Sequence, residues 1–147
     1  MLANFQPRMN EVISQEGTYK MIDMLRAVVD GGTASRLRNK YEFKGDIAAK
    51  TGTTNRNSDA WFMGITPELV SGCWVGGEDR DIHFDSMTYG QGAAMALPIW
   101  AYYMRKVYRD KTLGYSEDAK FEIPEDFNPC YHVQSTQNEP GIEDVYQ

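Results

Sequence analysis

The feature that most constrains the fold is a pair of short apolar runs joined by a turn-forming segment. The first run, Ile47 to Ala49, lies between Gly45 and Gly52 and is too short for a helix. Residues 55–58 read Asn-Arg-Asn-Ser, a composition typical of turns because Asn and Ser side chains bond to nearby backbone. Apolar residues return at 61–65, which read Trp-Phe-Met-Gly-Ile. Together these runs predict a β-hairpin.

The end of the first predicted strand carries groups that suit an anion. Side chains alternate along a strand, so Lys50 and Gly52 share one face, and Thr51 and Thr53 share the other. A twist or bulge near the glycine would turn Lys50 and Thr53 towards one cleft, and Gly52 would let a ligand lie along the strand edge. An ammonium group, hydroxyls and open backbone amides suit a carboxylate or an acyl-transfer oxyanion. The alternative is an ordinary solvated strand end.

Other segments of the chain complete a specific resemblance. Residues 50–55 and 59–67 resemble the Lys-Thr-Gly segment of bifunctional, class A penicillin-binding proteins. The similarity extends upstream and downstream, over about residues 9 to 110, and its further matching stretches are Met21 to Leu37, Cys73 to Gly76, Gly90 to Ala94, Ala96 to Trp100, and Met104. The resemblance implies a partial penicillin-binding, serine-acyltransferase fold.

Two of the three catalytic motifs of that family have no match. The family uses Ser-x-x-Lys, which contains the nucleophile, then Ser-x-Asn and Lys-Thr-Gly. In the 147 residues, no serine has a lysine three positions on, and none has an asparagine two positions on. The resemblance therefore implies the C-terminal portion of a transpeptidase domain, downstream of its nucleophile. It predicts that this chain alone is catalytically inert.

The resemblance also implies a role for each residue of the motif present. Lys50 would provide positive potential in the cleft and support proton transfer. The hydroxyls of Thr51 and Thr53 would hold the carboxylate of a substrate or β-lactam, and Gly52 would permit close approach. The backbone N–H of Thr53 would form one half of an oxyanion hole, with the other half supplied by the absent nucleophile. No cofactor is implied.

By the same resemblance, the parent protein cross-links peptidoglycan stem peptides and is acylated by β-lactams. It would face the periplasmic, extracytoplasmic side of the inner membrane, with its anchor upstream of this chain. The alternative is a non-catalytic module that senses cell-wall peptides or β-lactams. A β-lactamase fragment fits less well, because residues 59–64 and 92–100 resemble the synthases.

Helical periodicity flanks the predicted hairpin. Ser14 is a candidate N-cap for a helix from Gln15 to about Val29, and Thr33 for a short helix to Asn39. The basic cluster of that second helix, Arg36, Arg38 and Lys40, is either a solvated face or an ionic aid for an acidic substrate.

Downstream of the hairpin, residues 69–75 alternate as a further antiparallel strand. A C-terminal helix should carry Pro98 in its first turn, where the missing N–H is not needed. The fold class is therefore α+β, an antiparallel sheet packed by an N-terminal and a C-terminal helix.

Both ends of the chain differ from its centre. Residues 1–14 predict extended segments, whose exchange between two copies would give a homodimer. We expect residues 1–114 to form the portion of the domain and residues 115–147 an acidic, irregular tail. The tail holds eight acids and one lysine, so its net charge is −7. Because the whole chain has a net charge of −6, residues 1–114 have a net charge of +1.

Composition and spacing argue against several classes of function. No basic patch with interleaved aromatics points to nucleic acid, and no apolar run reaches the roughly 18 residues of a membrane helix. The spacing from Gly45 to Lys50 does not fit a phosphate-binding loop. His83 and His132 stand alone and predict no metal site, and a Cys73–Cys130 disulfide is left open.

Overall fold

The computed structural model describes Asn10, residues 12–125 and Phe127. The predicted extended segments, and with them the strand-exchange dimer, lie largely outside the described residues. The described part contains four helices and three strands, which are α1 (Gln15–Asp30), α2 (Arg36–Asn39), β1 (Ala48–Thr53), β2 (Asp59–Ile65), β3 (Val70–Gly76), α3 (Met87–Gly90) and α4 (Gly92–Arg109). Two short 3₁₀ turns, Asn55–Asn57 and Lys111–Leu113, complete it.

The three strands form one antiparallel sheet in the order β1-β2-β3. Lys50 pairs with Met63 across β1 and β2, and Trp61 pairs with Trp74 across β2 and β3. The predicted hairpin and third strand are confirmed, with β1 and β3 each beginning one residue later than expected. Helices α1 and α4 both pack against this sheet, so the predicted α+β class is confirmed.

Helix α1 begins as its sequence predicts. The Ser14 hydroxyl accepts a hydrogen bond from the Gly17 N–H at 3.2 Å, which satisfies one of the unpaired donors of the first turn. Tyr19 and Val29 are buried on the apolar face. The helix ends at Gly31, whose N–H donates to the carbonyl of Ala27.

Helix α2 differs from its prediction in its start. It begins at Arg36, and Thr33 does not cap it, because the Thr33 hydroxyl lies 2.9 Å from that of Thr51 instead. Arg36 donates to the carbonyl of Ala93, and Arg38 to that of Phe43. Both arginines therefore join elements of the fold, although Arg36 and Lys40 remain exposed, as the solvated-face alternative expects. A role for this cluster with an acidic substrate stays a prediction.

Helix α4 is longer than predicted and contains its proline in the interior. The helix begins at Gly92, so Pro98 lies in its second turn, and the expectation of a first-turn proline is wrong. A proline there leaves the carbonyl four residues earlier without its helical partner. Burial of Leu97 and Trp100 on the face towards the sheet offsets that loss and keeps the helix continuous.

Trp100 is the centre of the core. Its side chain is 1% exposed and packs against the rings of Phe62 and Phe43 at centroid distances of 5.2 and 6.1 Å. The indole N–H donates to the Ser71 hydroxyl at 2.8 Å, so its one polar atom is satisfied. A side chain at Gly64 would overlap this indole, which explains a glycine in the middle of β2.

The chain after α4 forms neither a helix nor a strand between Tyr115 and Glu125. That the domain ends at residue 114 stays a prediction. Within the part of the chain that the structure describes, no helix is both long and apolar enough to span a bilayer.

Candidate functional site

Strand β1 lies at an edge of the sheet and carries the predicted anion-binding residues. Its pairing with β2 is continuous from Ala48 to Thr53, so the bulge expected near Gly52 is absent. Alternation holds: Thr51 and Thr53 face the helices, and the Lys50 side chain lies on the opposite, exposed face.

The free edge of β1 presents the backbone groups of two threonines. The Thr54 N–H donates to the Asp59 carbonyl across the hairpin at 3.1 Å. Because successive residues of an antiparallel strand direct their backbone groups to opposite sides, those of Thr53 and Thr51 point away from β2. Among the described residues, no further strand pairs with this edge. It therefore offers N–H donors to an extended ligand or to an oxyanion.

The ammonium of Lys50 reaches this same edge through its side chain. Its Nζ atom donates to the Thr51 carbonyl at 2.6 Å, which is one of the outward-directed backbone groups. Lys50 is exposed, so the ammonium can exchange this bond for one to a ligand. The sequence predicts that a twist or bulge brings Lys50 to the cleft. In the structure the flexible lysine side chain reaches the edge instead, and the strand stays regular.

The N-terminus of α4 is seated directly on β1. The Gly92 N–H donates to the Thr53 hydroxyl at 3.0 Å. A Cβ at Gly92 would lie 2.6 Å from the Gly52 carbonyl oxygen and 2.5 Å from that of Trp61, so only glycine fits. The Thr53 hydroxyl accepts a hydrogen bond from the Gly92 N–H. Its own proton stays available, and the carboxylate of a ligand bound along the strand could accept it.

Thr33 and Gly92 are the two site-forming residues that sequence reasoning did not find. Thr33 fixes the Thr51 hydroxyl from the turn after α1, and Gly92 fixes that of Thr53. Both contacts join residues far apart in sequence, so local pattern could not reveal them. The sequence offers one indication for Gly92, because a glycine at the start of a helix can mark a place where another backbone segment packs closely.

The hairpin turn next to the site is held by side-chain hydrogen bonds. The Asp59 N–H donates to the Thr54 hydroxyl at 2.9 Å, and that hydroxyl lies 3.0 Å from the Ser58 hydroxyl. Arg56 and Asn57 have φ values of 62° and 56°, so both adopt the left-handed conformation. Asparagine tolerates this conformation better than most residues do. This network fixes the end of β1 where Thr53 lies.

Taken together, β1 provides one cation and outward backbone amides at its edge, and two threonine hydroxyls on the side that faces the helices. These groups could bind a carboxylate and stabilise an oxyanion, and acyl transfer needs donors for the oxyanion. In the described part of the chain, no three His, Cys, Asp or Glu side chains come together as a metal site. Cys73 lies on β3, away from this edge, and burial raises the pKa of its thiol.

Replacing Thr53 with valine should destabilise the fold by about 1 kcal/mol, because the first N–H of α4 loses its acceptor. Chemical denaturation followed by circular dichroism would measure the change. Thr53→Ser is the matched control, since it keeps the hydroxyl and should cost less. Equal stability of the valine and serine variants would contradict a capping role.

The relatives found by sequence and by structure belong to one family. No protein-family model matches the chain. The chain is 41% identical over 118 residues to penicillin-binding protein 1A of Aquifex aeolicus, and 37% identical over 113 residues to that of Pseudomonas aeruginosa. These alignments cover 80% and 74% of the chain. They extend well beyond the Lys-Thr-Gly motif.

A solved structure is also similar. The crystal structure of penicillin-binding protein 1A from Haemophilus influenzae matches with a TM-score of 0.62 and 29% sequence identity, over 78% of this chain. The chain spans 15% of the length of the Aquifex relative and 17% of the Haemophilus chain.

Proposed function

The chain belongs to the family of penicillin-binding proteins, and on that premise we propose that it supplies the Lys-Thr-Gly strand of a peptidoglycan transpeptidase. The observation that carries the proposal is the free edge of β1, where the Lys50 ammonium donates to the outward carbonyl of Thr51 and the backbone groups of Thr53 also point outward. An acyl-transfer site needs such donors at the place where negative charge develops.

Each residue of the strand has a proposed role. An extended stem peptide would lie along the edge and pair with the outward amides of β1. Its terminal carboxylate would bind Lys50 and the hydroxyls of Thr51 and Thr53, with Gly52 leaving room for its backbone. The Thr53 N–H would be one of two oxyanion donors, and a donor of this kind contributes about 3 kcal/mol to the transition state. β-Lactams would bind the same groups because they carry an equivalent carboxylate.

On this proposal, the chain by itself would not catalyse transpeptidation. The 147 residues contain no Ser-x-x-Lys, and on this proposal the nucleophile would come from another part of the protein. One oxyanion donor and a cation can stabilise the tetrahedral oxyanion of acyl transfer, but they cannot replace the nucleophile that attacks the carbonyl. The complete protein would act on the periplasmic side of the inner membrane, where peptidoglycan is assembled.

Intact-protein mass spectrometry after incubation with benzylpenicillin tests the proposal. Two proteins are compared: the 147-residue chain, and the Aquifex relative with this chain in place of its matching segment. We expect no adduct on the chain alone and one stoichiometric penicilloyl adduct on the chimera. An adduct on the chain alone would contradict the proposal.

The variant Lys50→Ala in the chimera tests whether Lys50 of β1 promotes acylation. We expect acylation to slow by about 10²–10³-fold, the usual loss when a charge-stabilising group is removed from an acyl-transfer site. Lys111→Ala is the matched control, because Lys111 lies in the 3₁₀ turn after α4, and its rate should be unchanged. An unchanged rate in Lys50→Ala would also exclude the proposed role. Penicillin binding without any adduct would instead support the non-catalytic sensor.

A further inference from the structure

The chain after α4 turns back and packs against residues 44–46, just before β1. Gly114 adopts a φ of 78°, a left-handed conformation that redirects the backbone after the 3₁₀ turn. Residues 116–121, here called the strap, then contact two separate parts of the body. At its beginning, the Ser116 N–H donates to a carboxylate oxygen of Glu68 at 3.2 Å, in the turn between β2 and β3.

The second contact of the strap is with residues 44–46. The Lys44 N–H donates to a carboxylate oxygen of Glu117 at 2.8 Å. Gly45 packs directly on the backbone of Glu117, and a Cβ at that position would overlap the Glu117 carbonyl. The strap is therefore fitted against this segment by its backbone as well as by side chains.

Asp46 anchors the far end of the strap. One of its carboxylate oxygens accepts from the Phe121 N–H at 3.2 Å, and the other accepts from Lys120 Nζ at 3.2 Å. Arg26 of α1 faces the same carboxylate at 4.0 Å. Burial alone would raise the pKa of Asp46, but the Phe121 N–H, Lys120 and Arg26 outweigh it and hold that pKa below its usual range. The carboxylate is thus bound in its charged form.

The anchored segment runs directly into the candidate site. Ile47 and Ala48, which follow Asp46, are fully buried, and Lys50 lies two residues beyond. Only a short, buried length of chain therefore separates Asp46 from Lys50. Beyond the strap, Phe127 makes an edge-on ring contact with Tyr19 at 4.5 Å, which joins the same stretch of chain to α1.

We infer that the strap holds the leading end of β1 in place, with Asp46 as the positioning residue that links it to Lys50. The first residues of the predicted acidic tail would then be a working part of the site. The inference rests on the proposed function in one respect, which is that β1 carries the site. Its test needs no acylation, so either can fail without the other.

Amide hydrogen exchange of the full 147-residue chain tests the inference. In Asp46→Ala, we expect the amides of β1 to exchange about tenfold faster, because a strand that loses a charged anchor opens locally more often. The amides of β3 should change much less, because the recorded hydrogen bonds from the strap to the body go to Glu68 and residues 44–46. Glu117→Ala removes the separate contact with Lys44 and should give the same pattern, even where Asp46→Ala fails to fold.

Asp118→Ala is the matched control, since it removes the same charge from the strap. Within the described residues, the Asp118 carboxylate makes no hydrogen bond or ion pair, and we expect no change at β1. An equal increase in β1 and β3 exchange would mean that Asp46 supports the whole fold, and it would overturn the inference. Unchanged exchange in β1 would overturn it as well.

Discussion

Replacing Trp100 with alanine should lower the free energy of unfolding by about 3–5 kcal/mol, enough to unfold much of a small domain. The indole is 1% exposed and fills the space between α4 and β2, so its removal leaves a cavity lined by Phe62 and Phe43. The Ser71 hydroxyl would also lose its indole donor, which adds a cost of its own. Guanidinium denaturation followed by far-ultraviolet circular dichroism would measure the change.

Trp74→Ala is the matched control for this prediction. Trp74 is 47% exposed and pairs with Trp61 across the open face of the sheet, so its loss should cost about 1 kcal/mol or less. A cost for Trp100→Ala no larger than that of the control would contradict the central role of the indole. It would mean that α4 can repack on the sheet without it.

Much of the fold follows from local patterns in the sequence. Ser14 followed by apolar residues at helical spacing gave α1, because capping and periodicity both act within one turn of chain. The runs around residues 55–58 gave the hairpin for the same reason, since turn chemistry and strand alternation are short-range properties. The family resemblance, confirmed by the comparisons, then placed the hairpin within a larger fold.

The errors occur where distant contacts outweigh local preference. Pro98 is a helix breaker by itself, but burial of Leu97 and Trp100 against the sheet keeps it inside α4. Thr33 is a good capping residue, but its hydroxyl pairs with that of Thr51 instead. Neither outcome can be read from neighbouring residues, because the deciding partner lies far away in the sequence.

The candidate site shows the same division. Alternation along β1 correctly separated Lys50 from the two threonines, because it depends only on strand geometry. The seating of Gly92 on Gly52 and the anchoring of Asp46 by the strap could not be predicted, since each brings together residues about 40 to 75 positions apart. Local chemistry therefore singled out the candidate strand, whereas tertiary packing determines how that strand is held.

Replacing Gly92 with alanine tests that packing at the site itself. The added Cβ would lie 2.6 Å from the Gly52 carbonyl oxygen and 2.5 Å from that of Trp61, and backbone atoms cannot rotate away. The end of α4 must therefore move off β1, which also breaks the bond from the Gly92 N–H to Thr53. We expect a net loss of stability of about 2 kcal/mol, since overpacking exceeds the gain in helix propensity.

The same variant should impair function in the chimera with the Aquifex relative, because displacement of β1 misplaces the proposed oxyanion donor. Acylation by benzylpenicillin should slow by about tenfold to a hundredfold, as an ångström of misplacement at a reacting centre does. Gly31→Ala is the matched control, since nothing lies within 4 Å of a Cβ there and its φ of −150° suits any residue. If both variants acylate at the wild-type rate, contact with α4 does not set the position of the site strand.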